Sequence, residues 1–308
     1  MQVEEELGRF SPDRGMWLTI GVFDGVHLGH KYLLEQLTRR AKQQNALSGV
    51  VTFGQHPQEV LFPQTRLPYI TTLAERTRLL KGEGVDSVIV LSFTSELAEL
   101  SPRQFISLLQ KYLRMQGLVI GPDFALGKNR EGDTGALRVL GQDMNFAVVV
   151  VEPVIIDGEA VSSTAIREAL TRGDMERVHH LTGRYFRVGG WVIAGAHRGV
   201  RLGFPTANLG LDPEQALPQD GVYATRAYIG NRGYQAMTNI GQRPTFGANQ
   251  RTVEVHILDY SGDLYGQELQ IDVIQRLRGE KQFDTAEELE KQIAEDIKQG
   301  SAILKGRS

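Results

Sequence analysis

The sequence predicts an α/β domain built on a parallel sheet, followed by an all-β antiparallel domain that closes on a helix. Three observations predict it. Through the first half, apolar strand-like runs alternate with segments of helical period. From Phe186 onward the segments become short and alternating, punctuated by Gly, Pro, Asn and Asp. At the end, Ala286, Leu289, Ile293 and Ile297 fall on one helical face. The 308 residues are enough for two cores.

The elements follow in order. Trp17–Phe23 is an apolar run that predicts a buried strand. Gly29–Gln44 carries Leu33, Leu34, Leu37 and Ala41 at helical spacing. Gly49–Phe53 predicts a second strand, and Thr71–Lys81 a helix capped by Thr71 or Thr72. Val85–Phe93 is a third strand, and Ser101-Pro102 opens a helix as cap and first residue. Leu118–Ile120, a helix from Thr134 to Met144, and Phe146–Val151 complete the first domain. Strands joined by crossover helices imply a parallel sheet covered on both faces. Its ligand belongs at the carboxyl end, beside the turn after the first strand. Beyond Gly183 the expected strands are Arg187–Ile193, Val222–Ile229, Tyr234–Asn239, Thr252–Leu258 and Glu268–Val273, in a sandwich or barrel. Thr285 caps the last helix. The boundary is expected between Gly173 and Tyr185, giving domains 1–183 and 184–308.

Composition narrows the function. There is no cysteine, which excludes disulfides, thiolate metal sites and cysteine nucleophiles. The net charge of −3 gives no global basic field, so neither nucleic acid nor an anionic membrane is an expected partner. No apolar stretch approaches a membrane span, and the acidic start carries no signal-peptide pattern. A cytoplasmic protein, monomeric or weakly homo-oligomeric, is the expectation.

Two turns in the first domain suit anions. Gly25-Val26-His27-Leu28-Gly29-His30 leaves a strand and opens a helix, so free N–H groups converge with the positive helix end. Gly25 and Gly29 allow close backbone approach, and His27 and His30 are one helical turn apart. Structural imidazoles, or two ligands of a zinc site, are the competing readings. Ser162-Ser163-Thr164-Ala165-Ile166-Arg167 offers hydroxyls, a helix start and a guanidinium. In the second domain, Gly199-Val200-Arg201-Leu202-Gly203-Phe204-Pro205-Thr206-Ala207-Asn208 joins a glycine loop to hard oxygen donors that suit Mg²⁺. The strand Val253-Glu254-Val255-His256 sets Glu254 and His256 opposite the valines, either facing solvent or aiming a base into a ligand cavity.

These motifs resemble a known family. The turn Gly21–His30, the segment Ser162–Arg167, Thr52–Pro57 and Gly121–Gly127 resemble the nucleotidyltransferase module of bifunctional riboflavin kinase/FMN adenylyltransferase. Thr206–Asn208 with Pro205, Asn239–Phe246, Val253–His256 and Tyr265-Gly266 resemble its riboflavin kinase module. Val22, Gln55, Ala125 and Ala165 stand where the family usually has Asn, Pro, Arg and Arg. The resemblance implies a Rossmann-like sheet and an antiparallel barrel. It implies ATP as co-substrate, Mg²⁺ as cofactor, and riboflavin, FMN and FAD as substrates and products. By the resemblance His27 and His30 are catalytic, and Phe23, Asp24, Gly25, Gly29, Asp123, Ser163, Thr164 and Arg167 contact nucleotide or phosphate. Phe53, His56, Pro57, Phe124, Phe246 and Tyr265 would bind flavin. Glu254 would be the kinase base, with Gly199, Arg201, Gly203, Pro205, Thr206 and Asn208 at the nucleotide and Thr206 and Asn208 on Mg²⁺. The alternatives are a riboflavin kinase with a weakened or lost adenylyltransferase domain, and a non-catalytic flavin-binding protein.

Overall fold

The structure is a computed structural model that describes residues 1–62, 64, 67–195, 203–242 and 251–307. Two compact units divide the chain, Met1–Ser163 and Thr164–Ser308.

In the first unit, β1 (Met16–Ile20), β2 (Leu47–Phe53), β3 (Ser87–Leu91), β4 (Met115–Ile120) and β7 (Ala147–Val150) form one sheet in the order β3-β2-β1-β4-β7. All its pairings are parallel. Helices α1 (Gln2–Gly8), α2 (Leu28–Gln43), α3 (Pro57–Leu61), α4 (Leu73–Gly82), α5 (Ser95–Ala98), α6 (Pro102–Leu113) and α7 (Thr134–Met144) surround it. Alternation along β1 divides the core. Met16, Leu18 and Ile20 pack with Phe105, Ile106, Leu109 and Leu113 of α6. Trp17, only 6% exposed, joins Leu34, Leu37 and Ala41 of α2 and Leu80 of α4 on the other face. The small hairpins β5/β6 (Ala125–Leu126, Gly132–Asp133) and β8/β9 (Ile155–Ile156, Glu159–Ala160) decorate the carboxyl end of the sheet.

The second unit opens with α8, whose helix spans Ser163–Arg172, and α9 (Met175–Thr182). Six strands then close an antiparallel barrel in the order β10-β11-β14-β13-β12-β15. They are β10 (Phe186–Ile193), β11 (Ala207–Gly210), β12 (Gly221–Ile229), β13 (Arg232–Gln242), β14 (Arg251–Ile257) and β15 (Glu268–Arg278). Inside, Val253, Val255 and Ile257 stand beside their cross-strand partners Ile240, Thr238 and Ala236. A six-stranded barrel is narrow enough for side chains to fill it. Outside, α10 (Ala286–Lys305) covers Ala224, Met237 and Ile274 with Leu304. Trp191 on β10 points outward and is 61% exposed.

Several expected elements shift, for identifiable reasons. The first strand stops at Ile20 rather than Phe23, because Phe23 and Val26 take positive φ. Strand β11 begins inside the stretch Gly199–Asn208, read as a glycine loop joined to hard oxygen donors, where no strand was expected. Helices α8 and α9 fall in the second compact unit. The Leu170 carbonyl accepts from Gln219 N–H, and Gly173 lies against Arg276 and Tyr223.

Candidate active sites

The sheet order reverses between β1 and β4, the place where such folds leave a crevice. The turn after β1 occupies it. Phe23 and Val26 hold φ of 56° and 33° and Gly25 holds 79°. A β-branched residue in that region is strained, and strain of this kind persists only where surrounding contacts hold it. The contacts are visible. Asp24 is 2% exposed, and its carboxylate accepts from Ile70 N–H and Thr71 N–H, both at 3.0 Å, and from Thr71 Oγ1 at 3.1 Å. Thr71 Oγ1 in turn accepts from Gly25 N–H at 3.0 Å. The Asp24 carbonyl accepts from Ser163 Oγ at 2.8 Å. These bonds tie Asp24, one of the expected nucleotide contacts, to the backbone of residues 70 and 71.

Helix α2 begins here with His27 as its cap. Nδ1 of His27 accepts from His30 N–H at 3.2 Å. In the neutral ring the hydrogen therefore sits on Nε2, leaving that nitrogen a donor. The rings of His27 and His30 stack at 3.6 Å, and Phe23 meets His30 edge-on at 5.0 Å. The expected convergence of the two imidazoles is thus present. Gly29 has a reason the sequence did not reveal. A Cβ there would lie 3.1 Å from the His27 ring and 3.3 Å from the Val161 carbonyl.

Two cavities flank the end of β1. A cavity of 240 Å³ is lined by His27, Gly29, His30, Pro122 and Val161 among others. A larger one of 790 Å³ is lined by Phe53, His56, Pro57, Asp123 and Phe124, joined by Phe62, Phe93 and Phe105. Ile20, Gly21, Val22 and Phe124 border both. The large cavity gathers four expected flavin residues and has the size and apolar lining of a small-molecule site. Arg130, which the sequence reading missed, lines it too and donates to the Asp123 carbonyl at 3.1 Å. No short motif marks Arg130; its place comes from the turn around Gly127, Asn129 and Arg130, all at positive φ. Of the second phosphate motif, Ser163 is tied to the turn, Thr164 is exposed, and Arg167 is half-buried on α8.

On the barrel, Asn208, Glu254 and Asn239 stand abreast on β11, β14 and β13, since Glu254 pairs with both asparagines. Because the valines point inward, this row lies on the barrel's outer face. Glu254 therefore stands on the outer face, while Val253, Val255 and Ile257 fill the barrel interior. Asn208 is buried, and Gly195 clears its amide, since a Cβ there would lie 2.1 Å from Nδ2. His256 Nδ1 donates to the Pro205 carbonyl at 2.8 Å, which holds the start of β11 to β14. Gly203, Pro205, His256, Tyr260 and Lys305 line a cavity of 640 Å³ next to Thr206. Tyr265 lies on the loop before β15, exposed. Gly199, Arg201 and Phe246 lie outside the described residues. Among the described residues no cluster of three or more His, Asp or Glu could hold a metal.

A crevice with two stacked imidazoles at a parallel sheet, and a row of polar side chains on a barrel, fit a two-domain transferase. The comparisons make it particular. The family profile for FAD synthetase matches residues 10–165, and that for riboflavin kinase matches residues 182–304. The bifunctional riboflavin kinase/FMN adenylyltransferase of Escherichia coli K12 is 37% identical over 288 residues, covering 93% of this chain and 92% of that protein. The protein of that description from Pseudomonas fluorescens is 38% identical over 306 residues, covering 98% of each. The chain belongs to the bifunctional riboflavin kinase/FMN adenylyltransferase family. A crystal structure described as a macrolide-efflux protein from Streptococcus pneumoniae shares the fold with a TM-score of 0.88 at 29% identity, covering 97% of this chain and 96% of that one. Among the described residues of this chain, no helix is long and apolar enough to cross a membrane.

Proposed function

We infer that this chain makes FAD from riboflavin in two steps, one in each unit. In the barrel, ATP phosphorylates riboflavin to FMN. In the parallel-sheet unit, a second ATP adenylylates FMN and pyrophosphate leaves. The observation that carries the second step is the pair of cavities sharing Ile20, Gly21, Val22 and Phe124. One suits a flavin ring, and the other suits phosphates beside two stacked imidazoles.

In adenylyl transfer, an FMN phosphate oxygen attacks the α-phosphorus of ATP. The new P–O bond forms as the bond to the pyrophosphate oxygen breaks. The nucleophile is already ionised, so no base is required. His27 Nε2–H can donate to a phosphoryl oxygen, and the ends of β1 and α2 hold the reacting groups in line. A helix N-terminus contributes about 0.3–2 kcal/mol, small beside the roughly 7–11 kcal/mol available from alignment. Asp123 and Ser163 complete the proposed nucleotide contacts within this unit.

In the barrel, Glu254 takes the proton of the ribityl hydroxyl as its oxygen attacks the γ-phosphorus. Thr206 and Asn208 fit Mg²⁺: they are neutral hard donors, and Asn208 pairs across strands with Glu254. When bound, Mg²⁺ supplies charge neutralisation for the transferred phosphoryl group. Gly203, Pro205 and His256 border the space proposed for the nucleotide.

The test is incubation with riboflavin, ATP and Mg²⁺ and separation of FMN from FAD. FAD formation is expected. FMN accumulating without FAD supports the kinase alone, the reading that the departures at Val22, Gln55, Ala125 and Ala165 favour. Binding without turnover supports a flavin-binding protein. Two variants assign the sites: His30→Ala should stop FAD formation and spare FMN formation, whereas Glu254→Gln should stop FMN formation and still convert supplied FMN.

A further inference from the structure

The first unit buries a guanidinium that neither motif includes. Arg76 on α4 is 1% exposed. Its Nη2 donates to the Phe53 carbonyl at 2.5 Å, at the end of β2. Among the described residues, Nε and Nη1 have no hydrogen-bond partner. A buried cation so sparsely satisfied is costly to folding, and an apolar side chain of similar length would fill the volume without that cost. Packing alone does not explain a guanidinium here.

Its neighbours give a reason. The carboxylate that acts on Arg76 is Asp24, within the strained phosphate turn. Asp24 also holds the backbone of Ile70 and Thr71. Next to them, the Tyr69 hydroxyl accepts from His56 N–H at 2.9 Å and donates to Glu59 at 2.8 Å. Phe53 and His56 are walls of the large cavity, while Phe23, His27 and His30 line the small one. Arg76 thus bonds to the wall of one cavity and, by its charge, acts on the turn that shapes the other. Burial draws its pKa down from the usual value, and Asp24 and then Tyr69 oppose that pull.

We propose that Arg76 is a positioning residue for adenylyl transfer: it braces the flavin wall at Phe53 against the phosphate turn at Asp24 and so sets the alignment of the two substrates. The proposal rests on the reading that FMN and ATP occupy the two cavities. Alignment is a large contribution to this reaction, and a shift of about 1 Å costs on the order of a hundredfold in rate. The brace therefore bears on kcat, and the separate affinities for each substrate depend on it little.

The test uses the full chain as Arg76→Met and Arg76→Lys. In Arg76→Met, kcat for FAD formation from FMN and ATP should fall about thirtyfold or more. The Kd of FMN, read by flavin fluorescence, and that of ATP should each stay within about threefold. The melting transition of the parallel-sheet unit and FMN formation by the barrel should be retained. Arg76→Lys, which keeps the charge and one donor, should recover part of the lost kcat. A folded Arg76→Met with kcat within threefold of the parent overturns the proposal. So does loss of the melting transition in both variants, or a parallel fall in kcat and both affinities without recovery by lysine, because each marks a merely structural role. A parent chain that makes no FAD overturns the two-cavity reading, and the proposal with it; a parent that makes FAD beside a fully active Arg76→Met overturns the proposal alone.

Discussion

Gly29→Ala isolates the position of one imidazole. The added Cβ would sit 3.1 Å from Cε1 and Nδ1 of His27 and 3.3 Å from the Val161 carbonyl. Backbone blocks one side, so the ring must give by a few tenths of an ångström. The displaced ring is both the cap of α2, through Nδ1 to His30 N–H, and the stacking partner of His30. Stability should change little. Alanine gains about 0.5–1 kcal/mol over glycine in a helix, while a weakened cap costs about 0.5–2 kcal/mol. The net falls within about 1 kcal/mol, a melting shift of a few degrees. Rate is more sensitive, since ångström-scale misplacement costs up to about a hundredfold. We expect FAD formation from FMN to slow tenfold to a hundredfold, about 1.4–2.7 kcal/mol in barrier. FMN formation in the same sample should be unchanged. Chromatographic separation of FMN and FAD over a time course measures both. A folded variant that makes FAD at the parent rate would refute the claim that the site needs the His27 ring where it lies.

Asp296→Ala should destabilise the barrel unit by about 3 kcal/mol, read by thermal or denaturant melting, because it leaves the Arg278 guanidinium without the carboxylate that accepts from Nε at 2.9 Å and Nη2 at 2.8 Å. Chelation of Mg²⁺ should stop both activities, and restoring Mg²⁺ should restore both; persistent FMN formation in chelator would count against Thr206 and Asn208 as Mg²⁺ donors. Burial pushes the Tyr223 phenol up to about 12 from 10.0, with Arg276 and Arg251 pulling the other way. A raised folded value contributes stability that is complete below pH 10 and lost as pH rises toward 12. Tyr223→Phe should therefore flatten the fall in melting temperature across that alkaline window.

What could be read from sequence tracks how local each signal is. Strand and helix order followed from the spacing of residues such as Leu33, Leu34, Leu37 and Ala41, whose burial depends on their own helix. The helix caps at Thr72, Ser101 and Thr285 were legible because the bonds span three residues. The convergence of His27 and His30 was legible for the same reason. Strand β11 was not, because four residues are too short to show an alternation; pairing with β10 and β14 decides the matter. Nor was the burial of Asp24, whose partners Ile70 and Thr71 lie far along the chain. No local pattern marks Arg76, since only the fold brings Phe53 and Asp24 near it. The orientation of Glu254 required closure of the barrel, which alternation along one strand cannot supply.

Each unit contains one of the chain's two tryptophans. Trp17 is packed between sheet and helix, whereas Trp191 stands in water, two residues before Ile193, the cross-strand partner of Asn208. Buried and hydrated indoles emit at different wavelengths, so the two units carry separate intrinsic fluorophores without labelling. Loss of the blue component reports unfolding of the parallel-sheet unit. If riboflavin binds beside the Asn208–Glu254 row as proposed, adding it should quench the red component. Trp17→Phe and Trp191→Phe would assign the two components.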